Sequence, residues 1–362
     1  MESNHRTGYE LEPITPREAV DLYLDTRKTE LAASSLTAHR SRLGHFIRWC
    51  DEQDITNLND LTPRDFTKFS IWRRDDGDLN NVTLNTQLHT LRVFIRKCEA
   101  FQAVLPRLHV YVEPTRLAPR EGVRHAFIEP EIAKRIIKHY RKYEYASLDH
   151  VVLEILWATG VRTGTLRSFD LDDWNSGERR LNAQHRPETE TPLKNGEDGQ
   201  RPIVVSKPAA EVIDDYIKTN RNDITDKHGR KPLITTRFGR PARQTIRNII
   251  YRATLPCVYS GECPHNRNPT TCEWNQNRHS ASTCPSSRSP HGMRKAAITE
   301  ARKRDIPIEA VSLQMNVSPE IIRKVYDKRT IEEKTTEYAH YWDLEPAADR
   351  AQSKQQTGGY YD

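Results

Sequence analysis

The sequence of 362 residues lacks any long apolar run. Its longest candidate, Val151 to Ala158, is interrupted by Glu154 and is far shorter than the roughly 18 apolar residues of a membrane-spanning helix. With 15 glycines and 21 prolines, the composition also excludes a collagen-like or low-complexity chain. The first residues, MESNHRTGYELEP, contain no apolar core. We therefore expect a cytoplasmic protein with no secretory signal and no membrane partner.

A strong excess of one charge is also missing. The 56 Lys and Arg residues only slightly outnumber the 50 Asp and Glu residues, giving a net charge of +6. That balance is compatible with a nucleic-acid partner but does not require one. The length predicts about two domains, each large enough to bury a core.

Helical patterns occupy the amino-terminal third of the chain. Thr15-Pro16-Arg17-Glu18 has the form of a capping box, and further helix starts lie near Ser35, Thr62 and Thr83. Apolar residues follow each start at helical spacing. We predict a tail over 1–12, an all-helical domain over 13–112 and a linker over 113–125, which is rich in proline and lacks periodicity.

The rest of the chain mixes helical and strand patterns. Predicted helices cover about 129–142, 147–159, 207–219, 243–253, 291–304, 307–315 and 318–326. Strand-like runs cover 168–174, 180–184 and 202–205. The predicted fold class is mainly α with a small antiparallel sheet (α+β). A second domain over 126–344 would contain a cysteine-rich insert at 257–284, and we expect 345–362 to be disordered.

Four separated features carry residues suited to phosphate chemistry. Arg162 follows a glycine that ends a helix, Lys194 lies in a glycine-rich turn, His291 and Arg294 share a helix face, and Tyr326 ends a short basic helix. Each alone has an ordinary structural explanation, such as a solvated turn lysine or a tyrosine packed at a helix end.

In this order, the set resembles the active site of the tyrosine recombinase (phage integrase) family. The segment DKRT after Tyr326 is most similar to archaeal-type integrases. The resemblance implies a helical core-binding domain over 13–112 and a catalytic domain over 126–344. It also implies a site-specific recombinase or integrase of a mobile element, which cuts and rejoins DNA through a 3′-phosphotyrosine intermediate.

The resemblance assigns roles to these residues. Arg162 and Arg294 would hold the non-bridging phosphate oxygens, and Tyr326 would be the nucleophile. Lys194 would protonate the leaving oxygen, and His291 would assist as a base. Catalysis would need no cofactor. Should Tyr326 not be the nucleophile, Tyr338 and Tyr341 are the fallback candidates.

The sequence departs from the family pattern at three positions. Thr165 stands where an acidic residue is common, Asn316 where His or Trp is usual, and Lys295 where His is frequent. We predict retained but slower activity, with Asn316 donating a hydrogen bond to phosphate. Two alternatives stay open: a non-catalytic DNA-binding protein on a recombinase scaffold, and DNA relaxation like that of a type IB topoisomerase.

Double-stranded DNA is the partner that the resemblance implies. The two domains would clamp the duplex, and the active assembly would be a homo-tetramer on paired DNA sites, associated with the nucleoid. Salt-sensitive phosphate contacts would supply much of the affinity. The second predicted helix has a basic face that is either solvated or turned to DNA, formed by His39, Arg40, Arg42 and Arg48.

Four of the six cysteines fall in the polar segment 257–284. In a reducing compartment such a cluster indicates a metal site more than a disulfide framework. We predict a structural zinc, with ligands drawn from Cys257, Cys263, His265, Cys272 and Cys284. The spacing differs from paired C-x-x-C fingers, so unliganded thiols or a disulfide remain alternatives.

Overall fold

A computed structural model of the protein describes residues 10–118, 127–326 and 335. The chain divides into two compact units at residues 124 and 125, and each unit has its own apolar core. Within the described ranges, no helix is long and apolar enough to span a bilayer.

Within residues 10–118, four α-helices form the amino-terminal domain. They are α1 (Pro16–Thr26), α2 (Ala33–Glu52), α3 (Pro63–Gly77) and α4 (Asn81–Ala100). The predicted capping box of α1 is confirmed, since the Thr15 hydroxyl accepts from the Glu18 backbone and the Glu18 carboxylate accepts from Thr15 N. Helix α4 begins earlier than predicted because the Asn80 side chain caps it by accepting from Thr83 N.

Aromatic side chains fill the core of this domain. Phe46 makes edge-to-face contacts with Phe69 and Phe94, and Phe94 makes another with Tyr23. Trp49 packs against the same group, and all five residues are almost completely buried. The spacing of these residues within α1–α4 is that of single helix faces, so the amphipathic pattern alone directs them to one core.

Residues 127–326 of the second domain contain ten α-helices. They are α5 (Pro130–Tyr143), α6 (Leu148–Thr159), α7 (Thr163–Ser168), α8 (Lys207–Thr219), α9 (Arg243–Ala253), α10 (Pro256–Tyr259), α11 (Glu273–Gln276), α12 (Pro290–Lys303), α13 (Ile308–Met315) and α14 (Pro319–Ile321). Helix α6 is the central one: its residues 149–156 are buried, and it packs against α5, α8, α9 and α12. Its buried carboxylates are paired with arginines, Glu154 with Arg141 and Asp149 with Arg278, which offsets the cost of burying their charge.

A small antiparallel sheet completes this domain, as predicted for the fold class. Strands β1 (Trp174–Asn175), β2 (Arg180–Ala183) and β3 (Arg201–Val204) are ordered β1-β2-β3. Leu181 pairs with Ile203, and both side chains are buried. The predicted strand over 168–174 was wrong for most of its length, because α7 continues to Ser168 and a 3₁₀ turn covers Leu171–Asp173.

The carboxyl-terminal helices form a second apolar cluster around Tyr326. A π-helical turn, Ile322–Tyr326, follows α14. The cluster contains Ala297, Ile298, Ala301, Val311, Met315, Val317, Ile322 and Tyr326. Tyr326 is only 5% exposed there. Several predicted features lie outside the described residues: positions 1–9 of the tail predicted over 1–12, the tail predicted over 345–362, the DKRT segment, Tyr338 and Tyr341.

Candidate active site

Arg162 is presented by a sharp turn at the end of α6. Gly160 caps that helix in the left-handed conformation, with φ +59°, and Arg162 is the residue immediately before α7. A residue without a side chain is favoured at such a helix end. The guanidinium of Arg162 is half-buried and has no hydrogen-bond or ion-pair partner within the described ranges. It is therefore available to an anion.

Arg294 projects from the first turns of α12 and is buried. One Nη donates to Gly160 O at 2.5 Å and Met315 O at 2.7 Å, and the other Nη donates to Asn316 O at 3.2 Å. A guanidinium has five N–H donors. The two that remain, on Nε and the second Nη, have no acceptor among the described residues. They leave one edge of the fork for phosphate oxygens.

The carbonyls that hold Arg294 belong to the carboxyl ends of two helices. Gly160 caps α6 and Asn316 caps α13. Such ends carry partial negative charge and stabilise a cation. Thr165, which replaces the acidic residue common in the family, is buried at 6% exposure. Backbone carbonyls at helix ends, and not a carboxylate, therefore stabilise the charge of Arg294.

Tyr326 lies within electrostatic reach of both arginines. Burial raises the pKa of its phenol, and the positive charges of Arg294 and Arg162 lower that pKa by a smaller amount. The pKa is therefore above its ordinary value, and the phenol is protonated at neutral pH. An attack by this oxygen would require transfer of the phenolic proton to a base.

His291 and Lys194 are both exposed, on different elements. His291 is the second residue of α12; desolvation by the surrounding protein, followed by the charges of Lys295, Arg294 and Arg162, lowers the pKa of its imidazole. The imidazole is therefore neutral at pH 7 and can accept a proton. Lys194 lies in the connection between β2 and β3 and has no bonded partner among the residues described here.

Asn316 faces the lysine-bearing connection. Its backbone is left-handed, with φ 51°, and its side-chain Oδ1 accepts from Asn195 Nδ2 at 2.9 Å. In this conformation the amide contacts the neighbour of Lys194. The predicted hydrogen bond from Asn316 to a phosphate stays a prediction.

Sequence reasoning missed Arg201, the first residue of β3. Its positive charge contributes to lowering the pKa of Arg294, and its own pKa is lowered to about 10 by burial and by Arg162. Carboxylates are absent from the described groups that shift the pKa values of these arginines, Tyr326 and His291. The sequence signal that could have found Arg201 is a basic residue at the start of a predicted strand, seven positions after Lys194.

The cysteine-rich insert does not have the geometry predicted for zinc. In residues 127–326, as in the other described parts, no group of three or more His, Cys, Asp or Glu side chains is placed to hold a metal. The His265 imidazole instead contacts Ser286 Oγ at 3.0 Å and packs edge-on against Trp274. Cys284 packs in a small apolar cluster, Cys272 is buried, and all six cysteines are free thiols.

The basic face of α2 is paired within its own domain. Arg40 contacts Asp21 at 3.3 Å, and Arg42 donates to Thr90 Oγ1 at 3.1 Å. Arg48 forms an ion pair with Asp76, and His39 contacts the Tyr23 hydroxyl at 2.9 Å. DNA would therefore compete with existing partners on this face, and its role in binding stays a prediction.

The fold is similar to that of solved tyrosine recombinases, the family that the sequence motifs resemble. Residues 20–99 match the family model described as phage integrase, N-terminal SAM-like domain. The second domain carries Arg162, Arg294 and Tyr326, the residues on which the resemblance of the sequence depends.

The chain is 26% identical to tyrosine recombinase XerD of Mycobacterium tuberculosis over 268 residues, covering 67% of this chain and 79% of the relative. The Tn1549 transposon integrase, solved with circular intermediate DNA, has a TM-score of 0.62 at 14% identity, over 90% of this chain and 99% of that one. A lambda integrase dimer bound to a COC′ core site has a TM-score of 0.60 at 13% identity, over 88% and 81%. These structures show the fold. The archaeal sub-assignment stays a prediction, since the XerD relatives are bacterial.

Proposed function

We propose that the protein is a site-specific DNA recombinase that cuts and rejoins strands through Tyr326. One observation carries the proposal. The unpartnered Arg162 guanidinium and the carbonyl-held Arg294 lie within electrostatic reach of one tyrosine, and no described carboxylate shifts their pKa values. Concentrated positive charge without an acidic partner is costly in a buried site unless an anion binds there. A phosphodiester supplies that anion.

The chemistry follows from the available donors. The phenol oxygen of Tyr326 attacks phosphorus, forming a P–O(Tyr) bond as the bond to the leaving 5′ oxygen breaks. Arg162 and the free edge of Arg294 hold the non-bridging oxygens, whose negative charge increases in the transition state. The 3′-phosphotyrosine link conserves the energy of the broken bond, so a 5′ hydroxyl can reverse the step.

Two protons must move in this step. The phenolic proton goes to a base, for which the neutral imidazole of His291 is suited because its pKa is lowered. The leaving oxygen takes a proton from Lys194, whose exposed position in the β2–β3 connection lets it approach bound DNA. Tyr326, His291 and Lys194 thus have distinct roles, and bound DNA would order the lysine.

The experiment uses nicked duplexes of randomised sequence, which trap covalent intermediates by losing the short 5′ fragment. Protein–DNA adducts are isolated and sequenced to find the preferred site. Wild type should form an adduct, and Tyr326→Phe should form none, since only the phenol oxygen is removed. Tyr338→Phe and Tyr341→Phe are matched controls that should retain it. An undiminished adduct in Tyr326→Phe would refute the nucleophile assignment.

Other outcomes identify the alternatives. Sequence-specific binding with no adduct from any variant means a non-catalytic DNA-binding protein, the hypothesis motivated by Thr165 and Asn316. Adducts accompanied by relaxation of supercoiled plasmid, but by no recombinant product from two copies of the selected site, mean a topoisomerase-like activity. Recombinant product supports the proposal.

The assembly and location belong to the same proposal. By resemblance, we expect a homo-tetramer on two DNA sites, in the cytoplasm and associated with the nucleoid. Mass measurement of the protein on the selected duplex tests the assembly. Four protomers on two duplexes are expected, and a complex that never exceeds two protomers would contradict it.

Structural zinc in the insert is a separate hypothesis. Its support is the sequence spacing and the proximity of the thiols. Burial is the main cause that raises the pKa of Cys257, and Cys263, Cys272 and Cys284 are near enough to raise it further. Binding would require these thiols to move closer together than they are here. Metal analysis of purified protein tests it, with Cys50→Ser as the matched control for Cys257→Ser. Absence of stoichiometric zinc would refute it.

A further inference from the structure

A third guanidinium lies beside the arginine pair. Arg201 Nε donates to Gln314 O at 3.1 Å, and one Nη donates to Gly199 O at 2.8 Å. Within the described ranges it has no carboxylate partner. Arg201 therefore donates to two backbone carbonyls, one in the β2–β3 connection and one in α13. Its half-buried side chain thus connects two segments that carry predicted site residues.

Three consecutive carbonyls at the end of α13 accept from the two arginines. Gln314 O accepts from Arg201, and the next two carbonyls, of Met315 and Asn316, accept from Arg294. Because the three peptide groups are covalently consecutive, displacement of the first displaces the others. The position of the Arg294 fork thus depends on where the end of α13 lies.

The Gln314 side chain fixes the same helix end to the sheet. Its Oε1 accepts from Val204 N at 3.1 Å, and its Nε2 donates to Val204 O at 2.7 Å. Val204 belongs to the edge strand β3, and its two backbone groups face away from β2, because the neighbouring Val205 N bonds to Arg179 O. The amide therefore satisfies the strand edge much as an added strand would.

We propose that Arg201 and Gln314 are positioning residues, which fix the carboxyl end of α13 on strand β3 and thereby hold the Arg294 guanidinium against the scissile phosphate. The inference rests on the proposed function. Neither residue needs to touch DNA. Misplacement of a catalytic group by about 1 Å can reduce a rate roughly 100-fold.

Gln314→Ala removes both contacts to Val204 and keeps the backbone carbonyls. Arg201→Lys keeps the charge and loses the planar fork that reaches two carbonyls at once. We expect each variant to reduce single-turnover cleavage of the selected nicked duplex by roughly 10- to 100-fold. DNA affinity should stay within about threefold, since phosphate contacts elsewhere supply it. Leu313→Ala is the matched control, because Leu313 is the exposed neighbour of Gln314, at 67% exposure.

The discriminating substrate carries a methylphosphonate at the scissile position. Replacing one charged non-bridging oxygen by a methyl group reduces the need for a well-placed guanidinium. A positioning defect should therefore reduce cleavage of the phosphodiester far more than cleavage of the methylphosphonate. A general folding defect would reduce both equally, because it lowers the fraction of active protein.

Equal losses on the two substrates, or no loss on either, would overturn the positioning role while leaving the proposed function intact. Wild type and Leu313→Ala serve as the reference for that decision. Absence of an adduct from wild type itself would overturn the proposed function and, with it, this inference.

Discussion

Gly160→Ala tests how the helix ends hold Arg294. The glycine has φ +59°, and its carbonyl accepts from the arginine. A Cβ at this position would lie 2.6 Å from Met315 Sδ and 3.0 Å from Met315 Cγ. Alanine would thus have a strained backbone and would clash with Met315, whose carbonyl also accepts from Arg294.

The expected free-energy cost has two parts. A left-handed conformation costs a residue with a side chain about 1–2 kcal/mol. Forcing a methyl group into a packed region costs a further ~1–3 kcal/mol, moderated by the flexibility of methionine. For a domain of this size each kcal/mol lowers the Tm by about 2–4 °C. We expect the transition of the second domain to fall by roughly 5–15 °C.

Gly229→Ala is the matched control. Gly229 also has a positive φ, +74°, but a Cβ there meets no atom within 4 Å. It should therefore show the conformational cost of about 1–2 kcal/mol alone. Thermal unfolding gives the stability difference between the two variants, and single-turnover cleavage, measured where both are folded, gives the functional difference.

Cleavage by Gly160→Ala should fall at least ~10-fold, since Met315 and Arg294 move together. Cleavage by Gly229→Ala should match wild type. If both variants lose the same stability and both cleave like wild type, the contact between Gly160 and Met315 does not position Arg294, and the reasoning fails.

Three further predictions concern other groups. His291→Asn should slow cleavage and abolish the decline in rate on acidification below pH ~6.5, because that decline reflects protonation of an imidazole whose pKa is lowered; a pH–rate profile that keeps its acid limb would contradict this. Phe94→Ala should destabilise the amino-terminal domain by about 3–5 kcal/mol in denaturant unfolding, against a negligible effect of the exposed Ile71→Ala; similar midpoints would contradict it. Arg278→Ala should remove the ion pair that holds buried Asp149 at 2.9 Å, raising further an Asp149 pKa that burial already raises. A folded state that holds its proton more tightly than the unfolded chain loses stability as pH rises, so this variant should be weakest relative to wild type near pH 8 and nearly equal at pH 4, and a pH-independent difference in Tm would refute the reasoning.

Local chemistry made several elements predictable from the sequence. The Thr15 capping box and the bounds of α8 and α9 required only neighbours in the chain. The five motif residues were instead predicted from the resemblance of the whole set to a known family. The strand predicted over 168–174 failed because its apolar residues pack around a helix end and a 3₁₀ turn, where periodicity over seven residues cannot separate the two conformations.

The zinc prediction shows another limit of spacing. Candidate metal ligands that are close in sequence can still contact different neighbours. His265, for example, contacts Ser286 and Trp274 and not the cysteines. Spacing along the chain limits which groups can meet, but the directions of the side chains depend on the packing of the whole insert.

By itself, the sequence determined the helical character of both domains, the kinds of chemical group available and their order along the chain, because these depend on local propensity and on residue type. Only the tertiary structure decided which groups meet: Arg201 beside Arg162, the end of α13 beneath Arg294, and the Gln314 amide on the edge of β3. The contact between Gln314 and Val204 joins residues 110 positions apart, and the contact between Arg294 and Met315 joins residues 21 apart; no periodicity encodes either. They arise when separate apolar faces pack into one core and bring polar groups at helix ends together.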